Sequence, residues 1–161
     1  MADIEVKMGE IAVDAGKDNL TASGIGSCVV ITFYDPKHKT GMMAHTMLPS
    51  RNEGQKMREK ERRYADIGIR GAKYVDIAIE EMLRMMEAKG AKRKDLEAKI
   101  VGGANMFSAF ESDIGRDNIL KVKEKLKMEG IRILGECVGG SQGRSVEFSI
   151  PSGIVTVKTK F

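Results

Sequence analysis

The feature that most constrains the fold is a pair of apolar runs joined by a short polar turn, between residues 27 and 49. The first run, SCVVITFY (27–34), is rich in β-branched and aromatic residues, which favour a buried strand. The turn DPKH has Asp in the first position and Pro in the second, as type I turns prefer. The run TGMMAHTMLP then returns as a second strand, which Pro49 ends. These residues predict two neighbouring strands connected by a tight turn.

Two later segments have the three- and four-residue periodicity of amphipathic helices, 74–90 and 116–130. A glycine ends each segment, at Gly90 and Gly130. The first segment also carries Glu80 and Arg84, an i,i+4 pair that we place on its solvent face. The inward positions are Val75, Ala78, Ile79, Met82 and Met86 in the first segment, and Ile119, Val122 and Leu126 in the second.

Further strands precede, separate and follow the helices. The patterns predict one or two short strands over 4–16, a strand over 96–107 that runs into a glycine pair, and a hairpin near the end of 131–160. The order is therefore strands, helix, strand, helix, strands. We predict a single domain over residues 1–161, of α+β class, with a mostly antiparallel sheet and two main helices on one side.

Composition argues against several functional classes. The chain has 27 Lys and Arg against 23 Asp and Glu over 161 residues, but no dense basic face with interleaved aromatics, so we expect no nucleic-acid partner. A nucleic-acid-binding or structural role would rest on the weak positive charge alone. No apolar run approaches the roughly 20 residues of a membrane helix, and the first ten residues have no secretory pattern. We therefore expect a cytoplasmic protein without membrane insertion.

Metal and disulfide chemistry are not indicated. The two cysteines form neither a disulfide framework nor a Cys-x-x-Cys pair. His38 and His45 have no carboxylate cluster beside them, so we expect no metal.

A charged segment stands out between the hairpin and the first helix. Residues 51–63 hold six Lys or Arg and three Glu, with Met57 as the only clearly apolar residue. We interpret this segment as a solvated surface loop or short exposed helix. The alternative is a docking surface for an acidic partner.

The chemistry of the chain centres on Cys28, which lies between the glycine-rich turn SGIGS and a strand. If Asp35 and His38 close a tight turn, Cys28 lies directly opposite His45, with Cβ atoms about 4.5–5.5 Å apart. A bulge at Gly41 would slip the register and break this pairing. A cysteine beside a histidine is the simplest activated nucleophile. The glycines before Cys28 would let backbone N–H groups converge as an oxyanion hole.

Three interpretations of Cys28 remain open at this point: a buried strand residue beside a core histidine, a catalytic Cys–His pair, or a redox-sensing thiol. An activated thiolate predicts that an alkylating reagent at pH 6 labels Cys28 well before Cys137. We expect Cys137, which lies next to a glycine pair, to be structural.

Five segments together resemble the chemoreceptor glutamine deamidase family CheD, over about residues 9–158. They are, in order, GIGSCVVITFYDP, GMMAHTMLP, YVDIAIEEMLRMMEAKGAK, LEAKIVGGANMF and GGSQGRSVEFSIPSGIVTVK. The resemblance implies an α+β layered sandwich like that of cysteine-dependent deamidating toxins. It also implies hydrolysis of selected glutamine amides in the cytoplasmic domains of methyl-accepting chemotaxis receptors, without a cofactor, and the chemotaxis phosphatase CheC as a partner.

The resemblance puts the nucleophile at Cys28 and the catalytic histidine at His45, acting through a thioester. The family's third residue is a threonine six positions before the cysteine, and that position holds Ala22 here. Thr21 lies one residue earlier and Ser23 one residue later, so either a one-residue shift brings Thr21 into place or a backbone carbonyl orients His45. The shifted threonine also favours the alternative of a non-catalytic regulatory partner of the phosphatase. The charged 51–73 stretch is longer than the family pattern and is a candidate for partner choice.

Overall fold

The structure, a computed structural model, describes residues 2–14, 16–50, 71–106 and 113–160. The strands are β1 (Asp3–Glu5), β2 (Ile11–Asp14), β3 (Asn19–Ile25), β4 (Val29–Asp35), β5 (Thr40–Thr46), β6 (Glu97–Gly102), β7 (Arg132–Val138), β8 (Arg144–Ser149) and β9 (Ile154–Thr159). The helices are α1 (Val75–Ala88) and α2 (Ile114–Met128), and a 3-10 turn covers Arg93–Asp95. The charged segment predicted at 51–63 lies outside the described residues.

The described strands form two sheets. One has five strands in the order β2-β5-β4-β6-β7, and the other has four in the order β1-β3-β8-β9. Each sheet is mixed, because β6 pairs with β7 in parallel and β1 pairs with β3 in parallel, while the other pairs are antiparallel. The predicted α+β class is confirmed, but the prediction of one mostly antiparallel sheet is corrected to two mixed sheets. The likeness to deamidating toxins stays a prediction.

The five-stranded sheet is the middle layer of the fold. Every residue of β4 and β5 is buried, as expected for strands covered on both faces. In β4, Val29, Ile31 and Phe33 pack with residues of α1 and α2, whereas Val30 and Tyr34 pack with the four-stranded sheet. This division follows from the two-residue period of a strand. Both helices therefore lie on one side, as predicted, and the second sheet covers the other side.

The two helices match the predicted segments closely. All five predicted inward residues of α1 are buried, as are Val122 and Leu126 of α2. Helix α2 begins at Ile114, two residues before the predicted start, because the Asp113 side chain caps it by accepting a hydrogen bond from the Arg116 N–H at 2.9 Å.

The predicted ion pair between Glu80 and Arg84 is wrong. Arg84 instead binds Glu81 within α1. Glu80 accepts a hydrogen bond from Lys125 of α2 at 3.0 Å, because the two helices pack side by side. No helix of the described ranges is both long and apolar enough to span a membrane.

The four-stranded sheet contains β3, which the sequence pattern does not reveal. Leu20 and Ala22 face the core between the sheets, but a register shift interrupts the alternation before Ile25. Gly24 lies within this bulge with φ +65°. The β8–β9 hairpin was predicted and is confirmed, with Phe148 among its buried residues.

Candidate active site

The register of the β4–β5 hairpin differs from the predicted one. Val30, not Cys28, pairs with His45, and Asp35 pairs with Thr40. The prediction that Cys28 lies directly opposite His45 is therefore wrong. Cys28 directly precedes β4, and extending the β4–β5 register by one residue would place it diagonal to His45 on the same side, because the shift is two residues.

The longer turn explains the register. Four residues, 36–39, connect the strands, and Lys39 adopts φ +46°. The buried Asp35 carboxylate closes this turn by accepting a hydrogen bond from the Lys37 N–H at 3.1 Å. His38 also contacts Asp35, with 2.5 Å between Nδ1 and Oδ2.

The His45 side chain is buried and held from one side only. Its Nδ1 lies 3.1 Å from the Val6 carbonyl oxygen. Because a carbonyl only accepts, Nδ1 carries the proton and the neutral ring presents Nε2 as an acceptor. Within the part of the chain that the structure describes, Nε2 is buried without a hydrogen-bond partner. His45 therefore has the tautomer and the free nitrogen of a general base.

The backbone of His45 is fixed by the segment between β1 and β2. The Gly9 N–H donates to the His45 carbonyl at 2.8 Å, and the His45 N–H donates to the Glu10 carbonyl at 3.0 Å. The Val6 N–H in turn donates to the Thr21 carbonyl at 2.7 Å. Residues 6–10 thus hold both the backbone and the ring of His45.

The electrostatics of His45 favour a neutral resting ring. Burial lowers the pKa of His45, and the Val6 carbonyl and the charge of Glu10 offset part of that effect. A neutral imidazole is the form that can accept a proton near neutral pH. The Glu10 carboxylate stabilises the imidazolium that would form on proton transfer.

The loop before Cys28 is fixed at three successive carbonyl groups. Ala104 N–H donates to the Gly26 carbonyl at 2.9 Å, and Gly103 N–H donates to the Cys28 carbonyl at 2.8 Å. The Asn118 amide donates to the Ser27 carbonyl at 2.8 Å. No described backbone carbonyl accepts from the N–H groups of Ser27 or Cys28. The N–H groups of Ser27 and Cys28, the predicted oxyanion donors, therefore have no backbone acceptor among the described residues.

Two glycines allow the chain to approach this loop closely. Gly102 has φ +118°, and a Cβ there would overlap the Cys28 carbonyl oxygen. Gly103 has φ +68°, and a Cβ there would overlap the side chain of Ile119 on α2. The predicted glycine pair at the end of β6 therefore allows the loop before Cys28 and helix α2 to pack closely against the chain there.

The Cys28 thiol is buried, with 9% of the residue exposed. Burial raises the pKa of the Cys28 thiol, and its own backbone N–H offsets only part of this. The two shifts therefore favour a neutral Cys28 thiol and a neutral His45 imidazole in the resting protein. This state differs from the preformed thiolate that rapid labelling at pH 6 would require.

Thr21 lies apart from the other two predicted residues. Its neighbours Leu20 and Ala22 face the core between the sheets, so its side chain is on the outer face of the four-stranded sheet. There it lines a shallow groove with Glu147 and Thr156. The extended β4–β5 register assigns Cys28 to the side of the hairpin that His45 occupies, whereas the Thr21 hydroxyl lies on the outer face of the other sheet. Of the two alternatives, the backbone carbonyl is the one in contact with His45, and it belongs to Val6.

Sequence reasoning missed two parts of this arrangement. The Val6 carbonyl could not be predicted from the sequence, because every residue has a backbone carbonyl. Asn118 left a signal, because it lies four residues before Val122 on the apolar stripe of α2, where a polar residue is unexpected. No group of three or more His, Cys, Asp or Glu side chains suited to a metal ion occurs among the described residues.

Comparison with known proteins relates this chain to a family. Residues 69–159 match the family model described as CheD chemotactic sensory transduction, which covers more than half of the 161 residues. The chain belongs to the CheD family. The family resemblance expected from the five sequence segments is therefore confirmed.

Relatives in the CheD family align with nearly the whole chain, including the Cys28 loop. The chemoreceptor glutamine deamidase CheD of Halalkalibacterium halodurans is 39% identical over 160 residues, which span 97% of this chain and 93% of the relative. The probable chemoreceptor glutamine deamidase CheD of Methanococcus vannielii is 40% identical over 157 residues, 96% of this chain and 94% of the relative. The chemoreceptor glutamine deamidase CheD of Thermotoga maritima is 38% identical over 153 residues, 95% and 89% respectively.

Proposed function

We propose that the protein is a cysteine-dependent deamidase that converts glutamine side chains of chemotaxis receptors to glutamate in the cytoplasm. The names of the CheD relatives give the reaction and the class of substrate. The observation that carries the proposal is the state of His45. Its ring is fixed by the Val6 carbonyl, and its buried Nε2 has no partner among the described residues. The β4–β5 register, extended by one residue, supports a position for Cys28 on the same side.

In the first step, the Cys28 thiol transfers its proton to His45 Nε2 as Sγ attacks the glutamine carbonyl carbon. The transfer accompanies the attack, because burial raises the pKa of Cys28 and lowers the pKa of His45. The N–H groups near Cys28 donate hydrogen bonds to the former amide oxygen and so stabilise its negative charge. The fixed carbonyls of residues 26–28 keep those N–H groups in place.

In the second step, protonated His45 gives its proton to the amide nitrogen, and ammonia leaves as the C–N bond breaks. The product is a thioester between Cys28 and the former glutamine. His45, neutral again, takes a proton from water as the water oxygen attacks the thioester. The C–S bond then breaks, and the proton returns to Cys28, which releases glutamate.

The phosphatase CheC is part of the same proposal, as a regulatory partner. A purely regulatory role without catalysis is the second candidate. The position of the Thr21 hydroxyl, on the sheet face away from His45, favours it. The two candidates differ in one outcome, because a regulator that lost its chemistry converts no glutamine.

The test is mass spectrometry of a receptor cytoplasmic fragment incubated with wild type, Cys28→Ala or the matched control Cys137→Ala. We expect wild type and Cys137→Ala to convert the same glutamines, and Cys28→Ala to lose at least about 10³-fold in rate. Circular dichroism confirms that both variants fold. Conversion by Cys28→Ala at the wild-type rate would overturn the mechanism. No conversion by wild type, together with tight CheC binding, would favour the regulator.

A further inference from the structure

Asn118 on α2 joins the loop before β4 to the residue that follows β5, beside the predicted catalytic pair. Its amide nitrogen donates to the Ser27 carbonyl at 2.8 Å and to the Met47 carbonyl at 3.1 Å. Ser27 directly precedes Cys28, and Met47 follows His45 by two residues. One side chain therefore connects the nucleophile loop to the end of β5 through both of its amide hydrogens.

The orientation of this amide follows from its neighbours. Both contacts are to carbonyl oxygens, which only accept, so the nitrogen must face them. The Asn118 side chain is 0% exposed. Its Oδ1 is buried and has no hydrogen-bond partner among residues 2–14, 16–50, 71–106 and 113–160.

The Asn118 amide has an unfavourable half and a favourable half. Its buried Oδ1 is unsatisfied, whereas its nitrogen satisfies two carbonyl groups that an apolar side chain of the same branching would leave without that donor. Asparagine is also a weak helix former in a helix interior. The residue is therefore explained by what its nitrogen does at Ser27 and Met47.

We infer that Asn118 is a positioning residue that sets the placement of Cys28 relative to His45. The inference rests on the proposed function, because it concerns the same pair. Asn118 does not touch the substrate. It acts through the Ser27 and Met47 carbonyls, so that helix α2 fixes the geometry between β4 and β5.

The experiment compares wild type, Asn118→Leu and the control Val122→Ala, with Asn118→Asp as a second variant. Leucine keeps the branching of asparagine and removes both donors. Aspartate keeps the size and replaces the donors with acceptors. Val122 is fully buried one turn further along the same helix, so its truncation destabilises α2 without touching the loop.

For Asn118→Leu we expect kcat on a receptor fragment to fall about 10- to 100-fold, with KM within about twofold, as for a misplaced catalytic group. Without substrate, we expect iodoacetamide to label Cys28 roughly tenfold faster than in wild type, because the released loop opens more often. Cys137 labelling serves as the internal reference. Val122→Ala should leave kcat and the labelling ratio near wild type.

Wild-type kcat and an unchanged labelling ratio in both Asn118 variants would overturn the inference. The same changes in Val122→Ala would also overturn it, because they would show a general effect of helix stability. The labelling readout needs no substrate. If wild type converts no glutamine, the proposed function fails, and faster labelling of Cys28 in Asn118→Leu still supports the positioning role.

Discussion

The two ends of the β4–β5 hairpin each hold a histidine, but the two rings differ in their hydrogen-bond partners. At the turn, His38 contacts Asp35 three residues away, and Asp35 also accepts the Lys37 N–H. At the open end, His45 is held by the Val6 carbonyl, 39 residues away, and its Nε2 has no partner in the described chain. The turn satisfies its own polar groups locally, whereas the open end is built from distant segments and leaves one buried nitrogen free.

This difference in hydrogen bonding distinguishes the structural pair of His38 and Asp35 from the candidate catalytic pair of His45 and Cys28. Polar groups that close a turn use their hydrogen-bonding capacity on each other. A buried nitrogen without a partner is unfavourable for folding, and such costs cluster at functional sites. The contrast between His38 and His45 can therefore be tested by changing each histidine in the same way.

The largest expected effect is from His45→Asn compared with His38→Asn. Asparagine at position 45 can still donate to the Val6 carbonyl but has no counterpart of Nε2. We expect deamidation of a receptor fragment to fall about 10²- to 10⁴-fold, the contribution of a general base. His38→Asn should retain activity within about twofold.

Initial rates measured by mass spectrometry decide between the two histidines. Equal losses in the two variants would remove the distinction between the hairpin ends. Full activity of His45→Asn would exclude it as the base.

A smaller difference is expected between the alkylation rates of Cys28 and Cys137 in the wild-type protein without substrate. Burial raises the pKa of Cys28 and covers its sulfur, whereas Cys137 is half-buried on the edge strand β7. At pH 7.5 we expect iodoacetamide to label Cys28 roughly tenfold more slowly than Cys137. The Cys28 rate should keep rising as pH increases, because the thiolate forms only at higher pH.

Peptide mass mapping at pH 6, 7.5 and 9 gives both rates in one sample. Faster labelling of Cys28 than of Cys137 at pH 6 would show a preformed thiolate. The neutral-pair mechanism would then be replaced by an ion pair.

The smallest expected effect is from Thr21→Val. The Thr21 hydroxyl is on the outer face of the four-stranded sheet, and its carbonyl, which valine keeps, is the group that holds Val6. We expect the deamidation rate to stay within about twofold of wild type, as for a surface substitution. Ser145→Ala, which changes the same groove, is the matched control. A loss of more than tenfold in Thr21→Val alone would mean that the hydroxyl reaches the site.

How much of the fold was predictable depended on burial. The sequence predicts the central hairpin because β4 and β5, which are covered on both faces, consist largely of apolar residues. Strand β3 was missed because its bulge at Gly24 breaks the alternation that identifies a strand. Without β3, no pattern in the sequence divides the strands into two sheets.

The candidate site was predictable in its residues more than in its geometry. The sequence predicts Cys28 and His45 as the pair, and a register error of two residues leaves that prediction standing, because an even shift keeps the same face. The error itself came from the turn, whose length depends on the side chain of Asp35. The carbonyl of Val6 and the amide of Asn118 act across long stretches of sequence, so local patterns could not reveal them.

The contact between His45 and the Val6 carbonyl determines how the first ten residues can vary. Any amino acid supplies a carbonyl, so position 6 is open to exchange among apolar residues that fit its buried place. An insertion or deletion between β1 and Gly9 would instead present a different peptide group to the ring. The segment before β2 is therefore constrained in length more than in composition, and an aligned gap there is a stronger sign of altered chemistry than a substitution.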